Sequence, residues 1–252
     1  GSGWRIRGRL APLLEKEGKY VLRHPVAVVL ALVVPAFAAL VAWRVSPLIP
    51  EEAGEVVRAL PLFGFAAYAH LATQPFWLNA FGWERGGGRT WFLAPVDPGD
   101  VLVAKNAAAY LLSLALFVAS GAAGFAVGGS PPGWAIAGAV CLHAGMAPFF
   151  LAAGNVISIV NPRPAPYTVQ RGGHLSPVSV LAGMAVFAAG AGLFAVPVLL
   201  AIRLDRAWLL PAGFAALGLL GALVYRASLP RAARLLAARK EPLLAAICGD
   251  DA

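Results

Sequence analysis

Residues 26–45 read VAVVLALVVPAFAALVAWRV, twenty positions with one charge, Arg44, near their end. About 20 mostly apolar residues form a helix long enough to cross the hydrocarbon core of a bilayer. Pro35, in the middle of the run, predicts a kink in that helix. Outward from this first segment, at about 26–46, the same reading recurs at 57–80, 104–128, 134–160, 178–202 and 207–228. Whole-chain composition agrees. Of 252 residues, 60% are hydrophobic and 13% charged, and mean hydropathy is +0.74. A soluble domain is about 45–50% apolar and about 25% charged, and a water-soluble chain of this length keeps a large polar skin. Lipid is therefore the expected solvent for most of this surface, and the expected fold is an all-α membrane protein with six transmembrane helices.

Lys and Arg set the orientation, because cytoplasmic loops carry them in excess. With the N-terminus in the cytoplasm, 16 of the 20 fall on cytoplasmic segments. Only Arg44, Arg58, Arg203 and Arg206 are left outside. Both termini are thus expected in the cytoplasm, and the net charge of +8 marks a membrane face rather than a nucleic-acid site. The outer loops are short. The sizeable polar segments, 4–25, 81–104, 161–177 and 229–252, all face the cytoplasm in this arrangement, and a partner protein is expected to dock there.

The N-terminal segment Trp4 to His24 carries Ile6, Leu10, Leu13, Leu14, Tyr20, Val21 and Leu22 at broadly helical intervals among Arg, Lys and Glu. It reads as an amphipathic helix lying in the interface and closed by Pro25. Gly8, Pro12 and Gly18 interrupt the pattern, and a plain basic anchor is the alternative. The organisation is therefore 4–25 as a cytoplasmic amphipathic helix, 26–228 as the membrane domain and 229–252 as a basic cytoplasmic tail.

Chemistry is sparse. Cys141 and Cys248 make neither a disulfide framework nor a metal set. Gly86-Gly87-Gly88 is followed by Arg89-Thr90, whereas a phosphate-binding loop needs a lysine directly after its last glycine and a strand before it. No nucleotide site is expected on this chain, and no cofactor or metal bound by it. His70, Gln74 and His143 fall within predicted spans, where ionisable and polar groups are functional suspects. They are the candidates for a translocation path, with packing histidines and haem ligation as the other readings. No carboxylate falls within a predicted span, so there is no proton relay.

The segment after the second span has its own logic. Asn79 and Gly82 suit a helix end, and Trp83 and Trp91 suit the headgroup level. Thr90 to Ala94 predicts a short helix stopped by Pro95, and Asp97-Pro98-Gly99-Asp100 is turn and capping chemistry. The result is a short helical elbow against the cytoplasmic membrane surface.

The pattern Asn79-x-Phe81-Gly82-x-Glu84-Arg85-x-Gly87, then a short helix, Pro95 and Gly99-Asp100-x-Leu102-x-x-Lys105-Asn106, resembles the cytoplasmic loop of type-2 ABC transporter permeases. These are six-span membrane subunits of bacterial ABC exporters. Glu15-Lys16-Glu17-Gly18-Lys19-Tyr20 through Arg23-His24-Pro25 is similar to their N-terminal interfacial helix. The resemblance implies that the elbow is a coupling helix that docks on a separate ABC ATPase subunit. Glu84, Arg85, Arg89, Thr90, Trp91 and Phe92 then become ATPase contacts, supported by Lys16, Lys19 and Arg23. It implies a second permease copy or a similar half as partner, with ATP and Mg on the ATPase. The location implied is the cytoplasmic (inner) membrane. The carboxylate-free interior favours a lipophilic or amphipathic substrate. A non-transporting scaffold or sensor and a haem-handling permease are the alternatives. Gly86-Gly87-Gly88 departs from what a stiff lever would want, and the 161–177 loop is unusually long for the family, with a second docking site or a linker as its two readings.

Overall fold

In the computed structural model of the chain, the described residues are 8, 10–50, 52–88, 94–165 and 175–248. Among them there is no strand. The helices in order are α1 (Ala11–Arg23), α2 (Pro25–Val45), α3 (Glu55–Ala72), α4 (Gln74–Leu78), α5 (Pro98–Gly128), α6 (Gly133–Val160), α7 (Pro177–Leu204), α8 (Leu209–Ala238) and α9 (Lys240–Cys248). Short 3₁₀ turns occupy Ser46–Leu48 and Arg85–Gly88.

Helix starts follow local chemistry. Pro25, Pro98 and Pro177 open α2, α5 and α7, where a missing N–H costs nothing. The preceding side chain accepts from the exposed amides in each case. His24 Nδ1 takes Val26 N at 3.2 Å, Asp97 takes Gly99 N at 2.8 Å, and Ser176 takes Ser179 N at 3.0 Å.

Among the described residues, five helices are long and apolar enough to cross a membrane: α2 with its 3₁₀ extension to Leu48, α5, α6, α7 and α8. The chain is thus an all-helical, multi-pass membrane protein. Of the five, α6 is the most deeply buried, and α7 and α8 are the most open to the surroundings. The axes of α6 and α8 approach closely because glycine faces glycine. A Cβ at Gly145 would lie 3.1 Å from Phe214 O and 3.2 Å from Gly218 Cα.

The predicted span at 57–80 is not among those five. It comprises the 18-residue α3, which carries Glu55, Arg58 and His70, and the short α4, with a break at Thr73. Pro75 cannot donate to the helical ladder. The neighbouring His70 carbonyl accepts from Thr73 Oγ1 at 3.2 Å and Trp77 Nε1 at 3.2 Å. Apolar residues of α3 are buried along most of its length, including Ala59, Leu62, Phe65, Ala66 and Ala69.

Two hydrophobic cores result. The larger fills the bundle. The smaller sits at the α1 end and joins Leu13, Phe81, Leu102, Ile159, Leu236, Leu243 and Ile247. Residues 229–248 are therefore helical and partly packed: α8 runs on through Pro230 to Ala238, and α9 buries Leu243, Ile247 and Cys248. Leu243 and Ile247 lie four apart, on one face of α9.

Candidate functional site

At the α1 end, three separate stretches of chain meet around four charged side chains. α1 presents Leu13, Glu17 and Val21 inward at four-residue spacing, which places one carboxylate on an otherwise apolar face. The turn after α4 supplies Glu84, and the third turn of α5 supplies Lys105. Lys105 Nζ donates to Glu84 Oε1 at 2.5 Å, to Glu17 Oε1 at 3.3 Å and to Ala80 O at 3.1 Å. Lys16 Nζ donates to Glu84 Oε1 at 2.7 Å and to Glu17 at 3.4 Å. Glu17, Glu84 and Lys105 are almost wholly buried, while the Lys16 side chain keeps 38% of its surface in solvent.

Two lysines and two glutamates balance, which is what lets charges persist out of water. The carboxylates are not equivalent. Burial pushes Glu84 up, but the charges of Lys105 and Lys16 outweigh it and hold the group down at about 2. Glu17 is pushed above the ordinary carboxylate value by burial and by the Glu84 charge, against the pull of Lys105. Glu84 therefore carries the firm negative charge, and Glu17 takes up a proton first. Burial and the neighbouring Lys105 lower the Lys16 ammonium, against the pull of Glu84.

Aromatic contacts extend the same junction. Tyr20 Oη donates to Trp83 O at 2.6 Å, and Trp83 Nε1 donates to Pro75 O at 2.8 Å. The His24 ring packs edge-on against Trp83 at 4.4 Å and against Phe76 at 5.7 Å. Trp83 is thus buried between α1 and α4. Glu84 too points inward. Its carboxylate joins pieces of this chain together.

The turn is tied on its other side to the segment after α6. Asn79 Nδ2 donates to Arg163 O at 2.7 Å, and Asn79 Oδ1 accepts from Arg163 N at 3.0 Å. Ala165 N donates to Gly82 O at 3.0 Å. A side chain at Gly82 would overlap Arg163 O and the Asn79 amide, so only glycine permits this crossing. Asn79 is the C-cap of α4, as its composition suggested, but its side chain serves a segment 84 positions away.

Of the other expected contacts, Lys19 and Arg23 lie on the exposed face of α1, Lys19 paired with Glu15 at 2.5 Å. With Pro12, Lys16, Tyr20, His24 and Pro25 they line an open groove of about 620 Å³. Arg85 opens the 3₁₀ turn next to Glu84. Arg89, Thr90, Trp91 and Phe92 lie outside the described residues, as does all of the expected elbow helix except Ala94.

His70 and His143 do come together, in the bundle. Their rings stack at 4.3 Å and 14°, and Phe117 stacks on the other side of His143 at 4.7 Å. His70 Nε2 lies 2.9 Å from His143 O, and His70 Nδ1 lies 3.2 Å from Ser113 Oγ. Only His143 Nε2 of the four ring nitrogens has no hydrogen-bond partner. The space beside the pair is about 10 Å³. Two rings stacked this closely, with one free nitrogen between them, do not fit axial ligation of a haem. Gln74, at the start of α4, is half-buried, and its Nε2 has no hydrogen-bond partner among the described residues. Among the described residues no group of His, Cys, Asp and Glu has metal-binding composition and proximity. The chain matches no protein-family model, no curated protein and no solved structure.

Proposed function

We propose that the chain is the six-span permease subunit of an ATP-driven exporter for a lipophilic or amphipathic substrate. The five long helices and α3–α4 make the six spans, and the α1 end faces the cytoplasm. A separate ATPase binds there, and this chain pairs with a second copy or a similar half. The observation that carries the reading is the buried junction of Glu17, Glu84 and Lys105 with Lys16, closed by the Tyr20–Trp83 hydrogen bond. It fastens the interfacial helix and the loop after α4 to the first turns of a 31-residue helix. A force applied by a partner at the loop or at the basic α1 groove then moves α5 as a unit, instead of being lost in a soft loop. Such a ligand-driven change requires the ATPase to bind one arrangement of the bundle more tightly than the other.

In this reading Glu84 and Lys16 are struts behind the contact surface, and Lys19, Arg23 and the 85–92 segment are the surface. Purification of the full chain from its native membrane in mild detergent tests it. An ABC ATPase should co-elute, and charge reversal at Lys19 and Arg23 should release it. The reading falls if no ATPase is retained with the unaltered chain, or if a different class of cytoplasmic protein is retained in its place, which would favour the scaffold reading.

A further inference from the structure

At the end of the bundle away from α1 there is a cleft of about 610 Å³ between α2, α3 and α5. Its volume lies within the range of small-molecule sites, about 300–1,000 Å³. The inner wall is apolar: Ala42, Leu62, Phe65 and Phe125, with Phe65 seated on Gly124 so closely that a Cβ there would meet it at 2.7 Å. The mouth is charged. Glu55 and Arg58, three residues apart on α3, both line it and both are exposed. Neither side chain makes an ion pair or hydrogen bond with a described residue, and the two do not pair with each other.

The recess opens where α2 and α5, both long and apolar enough to span a membrane, come to an end, the level at which lipid headgroups meet acyl chains. The charges at the mouth decide which amphiphile fits. Arg58 alone would select an anionic headgroup through charge-assisted hydrogen bonds to phosphate oxygens. Glu55 repels a net negative head and offers an acceptor for an ammonium group. Side chains three apart on a helix stand about 5–6 Å apart at Cβ, one helical turn, which suits a phosphate and an ammonium joined by a two-carbon spacer. We propose that this cleft is a binding site for a zwitterionic phospholipid of the ethanolamine type. Its phosphate rests on Arg58, its ammonium on Glu55, and the upper part of one chain lies against Leu62, Phe65 and Phe125. The site does not depend on the transport reading and stands or falls separately from it.

The test uses the full chain in detergent micelles equilibrated with equal amounts of phosphatidylethanolamine and phosphatidylglycerol, with retained lipid counted by native mass spectrometry. The unaltered protein should hold the ethanolamine lipid about tenfold over the glycerol lipid, a difference of about 1.4 kcal/mol. Arg58→Gln should remove the retention, and Glu55→Gln should turn the preference toward phosphatidylglycerol. Both side chains are exposed, so neither change threatens folding. A photoreactive acyl chain on the ethanolamine lipid should mark residues within 42–65 or 124–132. Equal retention of the two lipids, a preference for phosphatidylglycerol in the unaltered protein, no effect of either substitution, or cross-links confined to α7 and α8 would each overturn the proposal.

Discussion

Glu84→Gln removes one charge from the junction while keeping its shape. Breaking a buried ion pair by removing one partner costs about 3–5 kcal/mol, because the other charge is left without compensation. Here compensation is partial. Lys105 keeps Glu17 at 3.3 Å and the Ala80 carbonyl at 3.1 Å, and the half-exposed Lys16 turns toward water. The lower end, about 3 kcal/mol, is therefore expected. For a chain of about this size each kcal/mol moves the midpoint by about 2–4 °C, so Tm should fall by about 6–12 °C. Hydrogen exchange read by mass spectrometry should localise the loss to peptides covering 11–23, 79–84 and 98–106. Adding Lys105→Met should recover part of it, since no buried ammonium is then left short of its carboxylate. A Glu84→Gln protein that melts within about 1 °C of the unaltered one, with unchanged exchange at 79–84, would refute the argument that this cluster locks α1 and the turn to α5.

Three further outcomes follow from the same geometry. Tyr20→Phe leaves the Trp83 carbonyl without its 2.6 Å donor and should cost about 1 kcal/mol, seen as faster exchange across 20–24 and 83–84. Gly82→Ala forces a methyl into Arg163 O and the Asn79 amide; about 1–3 kcal/mol is expected, with protection lost at Ala165, whose amide bonds Gly82 O. Acid should open the junction in a defined window. Glu84 is held at about 2 from an ordinary 4.5, so its contribution is complete above 4.5 and lost as pH falls toward 2. Glu17 is shifted the opposite way: its contribution is complete below its ordinary value and lost as pH rises through its higher folded value. Exchange at 79–84 should therefore quicken between pH 4.5 and 2, and Glu84→Gln should abolish that step; an unchanged step would assign it to other carboxylates.

Five of the six expected spans were legible because lipid imposes a length and a composition that local detail seldom overrides. Helix ends were less so. A hydropathy window marks where the lipid stops, and α8 continues ten residues beyond 228 because Ala232 and Leu236 find a second core that is not lipid. The break at Thr73 had a visible cause in Pro75, but a proline is tolerated within a span when its freed carbonyl finds a partner. Here side-chain donors from Thr73 and Trp77 to the neighbouring His70 carbonyl fix the break as a corner. Glu17 was legible as an anomaly, a carboxylate between Leu13 and Val21 on the inward face of an amphipathic helix. Lys105 was equally anomalous, set among Val101, Leu102, Ala104 and Ala108. What local pattern could not supply was that these two, 88 positions apart, answer each other.

The three glycines at 86–88 change their meaning in this light. Alone they read as a soft place in a lever. In the folded chain they occupy or adjoin a 3₁₀ turn in which Gly87 N donates to Glu84 O at 2.9 Å, directly beside the charge cluster. α9 then lies against the turn, so that a Cβ at Gly88 would meet Ile247 Cδ1 at 2.8 Å. A small residue there lets a helix from the far end of the chain pack onto the turn. Stiffness at this point comes from contacts on both sides of the backbone, Glu84 held by lysines and Gly88 covered by Ile247. The intrinsic preference of glycine for freedom is countered at Gly88 by this packing.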